Sequence, residues 1–324
     1  MTVLKKPEHG AIVSMMYEHQ VRFSEHCEVY SASNDPMKFI APVHLPADMP
    51  APICFEWETD DETQHFQLAS DPDFSSIIFD TANCTSCEVY NLYLNTTYYW
   101  RVGASEISVF RTEDRTPRMI CVPGIQNMRD IGGYLSDDGR RVRQGMIYRG
   151  SEISLIEGDV ASAETQRVFC EELGIRVDLD FRYVSDATAG LNIWNDRVRY
   201  EFRPTNPYDV FIRDQEHSVK LFRLLLDKNN YPLYFHCALG ADRTGSFACL
   251  LLSLLGVDEE MITRDYEWTT LVFQRYRAST DWKNLLESLK KYGSTMKEAA
   301  YNYLKDGGVT DEEFECFRSI MLED

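Results

Sequence analysis

Tyr231-Pro232-Leu233-Tyr234-Phe235-His236-Cys237-Ala238-Leu239-Gly240-Ala241-Asp242-Arg243-Thr244-Gly245 is the stretch on which the reading turns. Its apolar first half predicts a buried strand, its middle a tight loop, and its end the opening of a helix. A cysteine at a strand end, with an arginine six residues later at a helix start, is what a phosphate-cradling nucleophile site requires. The strand fixes Cys237 at the loop floor. Ala238, Leu239, Gly240, Ala241, Asp242 and Arg243 can then curl so that backbone N–H groups and the helix N-terminus point inward. Such a nest suits a tetrahedral dianion. It also favours the Cys237 thiolate, because thiol pKa values are low where sulfur faces a helix N-terminus and a nearby cation. Alone, Cys237 reads equally well as a buried structural cysteine. Gly240, Arg243, Thr244 and Gly245 in register weigh against that.

The 324 residues suffice for two domains, each with its own core. A formal net charge of −19 argues against nucleic acid or an anionic membrane as a general partner, since both reward clustered Lys and Arg. Any phosphate affinity is therefore expected to be local. Nine scattered cysteines, among them Cys27, Cys170, Cys249 and Cys316, do not form a disulfide framework, and a reducing compartment is expected. The first residues carry no apolar leader run, and Phe247 to Leu255 is too short to cross a bilayer. A cytoplasmic protein is the expectation, unless a leader precedes this sequence.

From about 50 to 112, short segments alternate apolar and polar positions between turns: Ile53 to Trp57, His65 to Ser70, Ser75 to Phe79, Cys87 to Tyr90, Tyr98 to Gly103 and Ser108 to Arg111. An all-β sandwich is predicted over 1–115, with Ala11 to Met16 as a possible first strand. Phe55-x-Trp57, Asp71-Pro72-Asp73-Phe74 and the run from Leu92 to Val102 resemble a fibronectin type III domain. That resemblance implies a tyrosine corner at Tyr98, and it departs at Leu94, where proline is usual. A polar break at Glu113 to Pro117 marks the boundary. Over 116–324 strands alternate with helices: a helix over 166–173, a strand over 176–181 facing inward with Val177, Leu179 and Phe181, and a helix over 216–226. Helices are then predicted over 243–255, 258–278, 281–292, 295–305 and 311–322. This is an α/β pattern, a central sheet flanked by helices.

Further motifs sit at the start of the second domain: Asn127-Met128-Arg129-Asp130-Ile131-Gly132-Gly133-Tyr134, Tyr148-Arg149-Gly150-Ser151 and Asp180-Phe181-Arg182. Read singly, Gly132-Gly133 is a turn and Arg129 with Asp130 a surface ion pair. Together with Cys-x5-Arg-Thr-Gly they resemble the cysteine-dependent protein tyrosine phosphatase superfamily, in particular its bacterial branch with the loop His-Cys-x-x-Gly-Lys-Asp-Arg-Thr-Gly. That group includes dual-specificity and lipid phosphatases. The resemblance spans roughly 120 to 324 and implies a metal-independent phosphomonoester hydrolase with no cofactor.

In that chemistry the Cys237 thiolate attacks phosphorus in line and forms a phosphocysteine that water hydrolyses. Arg243 holds two equatorial oxygens in a bidentate fork. Thr244 either donates to the departing sulfur or is an ordinary first-turn residue, and His236 holds the loop by hydrogen bonds. The resemblance makes Asp242 the first candidate for general acid, with Asp180 second and Asp209 third. Asp180 reads equally well as the organiser of Arg182 or of the loop. Ala241 stands where the branch usually has lysine, which leans away from multiply phosphorylated head groups and toward phosphotyrosine. Two readings stay beside this one: a phosphoinositide or inositol phosphate phosphatase, and a phosphate-binding pseudophosphatase whose sandwich binds a protein partner. Cys84-Thr85-Ser86-Cys87 lacks a second ligand pair at metal-site spacing and reads as a β-loop coincidence.

Overall fold

The structure, a computed structural model, describes residues 2–26, 46–60, 65–158, 160–186, 192–194, 196–274 and 279–324. Cys27 and the end of the helix expected over 258–278 lie outside the described residues. Two compact units emerge, Met1–Glu18 with Pro50–Arg118, and His19–Met49 with Met119–Asp324.

The first unit contains β1 (Val3–Lys6), β2 (Ala11–Val13), β3 (Ile53–Glu58), β4 (His65–Ala69), β5 (Ile77–Ala82), β6 (Ser86–Val89), β7 (Thr97–Val102) and β8 (Ser108–Thr112). They form a three-stranded sheet in the order β1-β3-β6 and a five-stranded sheet in the order β2-β8-β7-β4-β5. Period-two alternation places Ile53, Phe55 and Trp57 inward while Cys54, Glu56 and Glu58 face out. Phe55 meets Phe66 at 4.8 Å and Trp100 at 5.2 Å, so one aromatic core joins the two sheets. The Tyr98 hydroxyl accepts a hydrogen bond from the N–H of Tyr93 at 2.9 Å.

Helix α1 (Glu18–His26) precedes the second unit's sheet, which has the order β14-β13-β15-β10-β9. Its strands are β9 (Arg129–Asp130), β10 (Ile147–Gly150), β13 (Val177–Asp180), β14 (Arg199–Phe202) and β15 (Leu233–His236); β11 (Ile156–Glu157) and β12 (Val160–Ala161) form a separate hairpin. Within the five-stranded sheet all pairings but β9 with β10 are parallel. Every residue of β15 is buried, as expected of a parallel strand covered on both faces. Leu233 and Phe235 enter one apolar cluster with Val177, Leu179 and Phe181, and Tyr234 enters the other.

The helices are α2 (Ala163–Gln166), which continues as a π-helical turn over Arg167–Glu172, then α3 (Tyr208–Arg213), α4 (Gln215–Leu224), α5 (Asp242–Leu254), α6 (Glu259–Phe273), α7 (Ser279–Lys290), α8 (Met296–Asp306) and α9 (Asp311–Met321). The short α3 has no counterpart in the sequence-based reading. Among the described residues, no helix is long and apolar enough to cross a membrane.

Candidate functional site

Because β15 is central, its C-terminal end is bracketed by the ends of β10 and β13, with Gly150 and Asp180 both level with His236. Ligands of parallel sheets bind outside such strand ends. Cys237 is the next residue, 3% exposed, and the chain then loops back into α5 at Asp242. Gly240 sits at φ 65°, and a Cβ there would lie 2.3 Å from the Gly150 carbonyl. Only glycine allows this close approach.

The loop's carbonyls are tied to the scaffold behind it. Ala238 O accepts from Glu152 N at 3.1 Å, Leu239 O from Asn127 Nδ2 at 3.1 Å, and Gly240 O from Arg149 Nη2 at 2.9 Å. In a trans peptide the following N–H points opposite to the carbonyl. The amides of Leu239, Gly240 and Ala241 are thereby turned toward the cradle, and among the described residues none of them meets an acceptor.

Behind the loop lies a buried ion cluster. Asp265 on α6 accepts from Arg129 Nε at 2.7 Å and from Arg149 Nη1 at 2.5 Å. Arg129 also donates to Asn127 Oδ1 at 2.7 Å, which aims the amide of Asn127 at the loop and at Thr269 Oγ1, 3.0 Å away. Burial opposes the Asp265 charge, but the two guanidinium groups hold its carboxyl below the usual range. Burial and the neighbouring Arg129 push Arg149 down to about 10. Two cations against one anion leave a surplus positive charge under the loop. Asp130 is fully buried rather than on the surface, and accepts from the N–H groups of Gly132 at 2.7 Å and Gly145 at 2.6 Å, so it holds a turn.

A second buried set lies under the floor. His236 Nδ1 donates to the Cys237 carbonyl at 3.3 Å, and its Nε2 lies 3.1 Å from Asp178 and 3.8 Å from Asp180. The Asp178 contact is close enough for an ion pair without being aligned as a hydrogen bond. Burial pulls the imidazole pKa down, but the two carboxylates outweigh it and hold it above 6.5. Both oxygens of Asp180 are engaged, Oδ1 by Arg182 N at 2.8 Å and Nε at 3.0 Å, Oδ2 by Arg182 Nη2 at 2.7 Å and Tyr200 OH at 2.6 Å. Burial notwithstanding, His236, Arg182 and Tyr200 keep its pKa low. This is the geometry of an organiser of Arg182, and an acid with both oxygens accepting is poorly placed to deliver a proton.

Arg243 Nη1 donates to Asp186 Oδ2 at 2.9 Å and to Phe181 O at 3.3 Å, while its guanidinium lies 4.6 Å over the Tyr183 ring. Among the described residues its Nε and Nη2 make no hydrogen bond, leaving a two-donor edge of the fork. Burial opposes the charge, whereas Cys237 and Asp186 raise the guanidinium pKa. The Thr244 hydroxyl is buried without a hydrogen-bond partner among the described residues. Asp242, at the first turn of α5, accepts from the Tyr208 hydroxyl, whereas Asp209 pairs with Arg213 on its own helix.

The structure thus brings together Cys237, the loop, Arg243, Thr244, Asp242, His236, Asn127 and Arg129, and leaves Asp209 outside. The sequence reading missed Asp265, Asp186, Asp178 and Tyr208. A signal existed for Asp265: Ile262, Asp265, Tyr266 and Thr269 recur at helical spacing, which puts an aspartate on an otherwise inward face. Among the described residues, no group of three or more His, Cys, Asp or Glu could hold a metal ion.

The geometry thus sets a buried thiol at the floor of a loop with three amides that meet no acceptor among the described residues, and an arginine with two unbonded donors where the loop enters α5. The tyrosine phosphatase family pattern matches residues 120–323, and the chain belongs to that family. A Cupriavidus necator protein that carries the name of a tyrosine-protein phosphatase is 29% identical over 203 residues, covering 52% of this chain and 71% of its own. Among solved structures, the core catalytic domain of the S. cerevisiae PP-IP phosphatase has a TM-score of 0.35 at 20% identity, covering 49% of this chain and 89% of that one. TpbA of P. aeruginosa in complex with phosphotyrosine has a TM-score of 0.34 at 16% identity, covering 52% and 91%. Family membership supports phosphatase activity and phosphorylated substrates.

Proposed function

We propose that the protein is a metal-independent phosphomonoester hydrolase acting through a phosphocysteine on Cys237, with phosphotyrosine as its substrate. The observation that carries this is one short loop that holds the buried Cys237, three amides that meet no acceptor among the described residues, and Arg243, which has two unbonded donors and lies near enough to Cys237 to interact with it electrostatically. The thiolate attacks phosphorus, the amides and Arg243 share the charge of the equatorial oxygens, and the substrate oxygen leaves with a proton from Asp242. Thr244 donates to sulfur when water cleaves the S–P bond and sulfur leaves. Asp180 organises Arg182.

A single-phosphate substrate is favoured because Ala241 supplies no cation and Arg182 is committed to Asp180 and Glu152 at 2.7 Å each. Residues 116–324, with the segment His19–Met49 that clusters with them, form the catalytic domain. The strands within 1–115 form a fibronectin III-like partner-binding module, a reading supported by the Tyr98 hydroxyl bonded to the backbone five residues upstream. Turnover of a phosphotyrosine peptide in EDTA, lost in Cys237→Ser, is the test; undiminished activity in that variant overturns the proposal. Phosphoinositides and phosphoserine peptides assayed alongside decide the substrate class.

A further inference from the structure

Tyr208 is the first residue of α3 and sits at φ 57°, a left-handed conformation that is costly for a bulky aromatic residue. Two separate links tie it to the first turn of α5. Its hydroxyl donates to Asp242 Oδ1, and its N–H donates to Ser246 Oγ at 2.7 Å, which in turn donates to Asp242 O at 2.9 Å. The Tyr208 hydroxyl also lies 2.9 Å from that of Tyr266, whose ring is buried and stacked on Trp282 at 4.0 Å. A strained residue held this firmly is over-determined by its surroundings, and what it holds is the carboxyl of the proposed acid.

We propose that Tyr208 is a positioning residue that fixes the rotamer of Asp242 so that its carboxylic proton faces the leaving oxygen. This rests on the phosphatase reading above. The carboxylic proton of Asp242 passes to the substrate oxygen as the O–P bond breaks and the S–P bond forms, and the resulting carboxylate takes a proton back from the water that cleaves S–P. The phenol of Tyr208 on α3 meets Asp242 and also that of Tyr266 on α6, and Arg243, next to Asp242 in sequence, pairs with Asp186.

Tyr208→Phe keeps the ring and removes the donor. Relative to wild type, kcat on a phosphotyrosine peptide should fall about tenfold, a fraction of what acid catalysis supplies, with KM unchanged. An aryl phosphate with a strongly acidic phenol needs little protonation and should lose less than about twofold. Asp242→Asn should show the same split between the two substrates more strongly, losing about 10²-fold or more on the peptide. Tyr266→Phe, which leaves Tyr208 in place, should move the same quantities in the same direction by less, and carries the test if Tyr208→Phe misfolds. Equal losses on both substrates overturn the assignment while Cys237-dependent turnover keeps the phosphatase reading intact. Absence of Cys237-dependent turnover in wild type overturns both.

Discussion

Arginine meets aspartate on both sides of the Cys237 loop, and the two contacts are made for different ends. Behind the loop, Arg129 and Arg149 grip Asp265 with side chains at most 2% exposed. At the lip, Arg243 pairs with Asp186 at 14% and 28% exposure. Water screens the lip pair, and solvent can replace Asp186 when an anion arrives. Nothing can replace Asp265, because a buried charge left without its partner has no recourse. The same two residue types serve as permanent framing in one place and as an exchangeable contact in the other.

Breaking the back wall should have the largest effect. Asp265→Asn leaves two buried guanidinium groups without their anion and should cost about 3–5 kcal/mol in urea unfolding, with activity lost alongside. An effect below about 1 kcal/mol would show the cluster to be dispensable. The depressed pKa of Asp265 adds a sign: its contribution is present above the ordinary carboxylate range and is lost as pH falls through the lower folded value.

The buried His236 has the opposite sign. Its folded pKa lies above 6.5, so its stabilisation is complete below 6.5 and disappears as pH rises through the folded value. Urea midpoints should therefore decline on the alkaline side, and His236→Gln should flatten that decline. An unchanged slope would place the imidazole outside the titration. The lip gives the smallest change: Asp186→Asn should shift stability by about 0–1 kcal/mol, measured by urea unfolding. A loss as deep as that of Asp265→Asn would erase the distinction between the two sides.

What could be read from the sequence follows the range over which each residue acts. Strand β15, the loop and α5 are contiguous, and their roles are written in apolar runs and turn residues; the inward face of β13 obeys the same local rule. Asp265 meets Arg129 across 136 residues, and no local pattern records that meeting. Asp186 stabilises a turn from which it also reaches Arg243, so its neighbours in sequence look like any polar connection. Tyr208 begins a helix of six residues, too short to show periodicity. The Asp180 case differs again: the sequence offered two roles, and only the count of hydrogen bonds on its oxygens separates them.

The separations have a consequence for how the protein comes into being. Asn127 reaches Thr269 across 142 residues, so closing the back wall requires joining distant parts of the chain, at an entropic cost that local elements do not bear. During synthesis Cys237, Arg243 and the entire loop sequence leave the ribosome before Asp265 and Thr269 do. For that interval the chain carries the loop without the frame that orients its amides, and its order should arrive as a step when α6 docks.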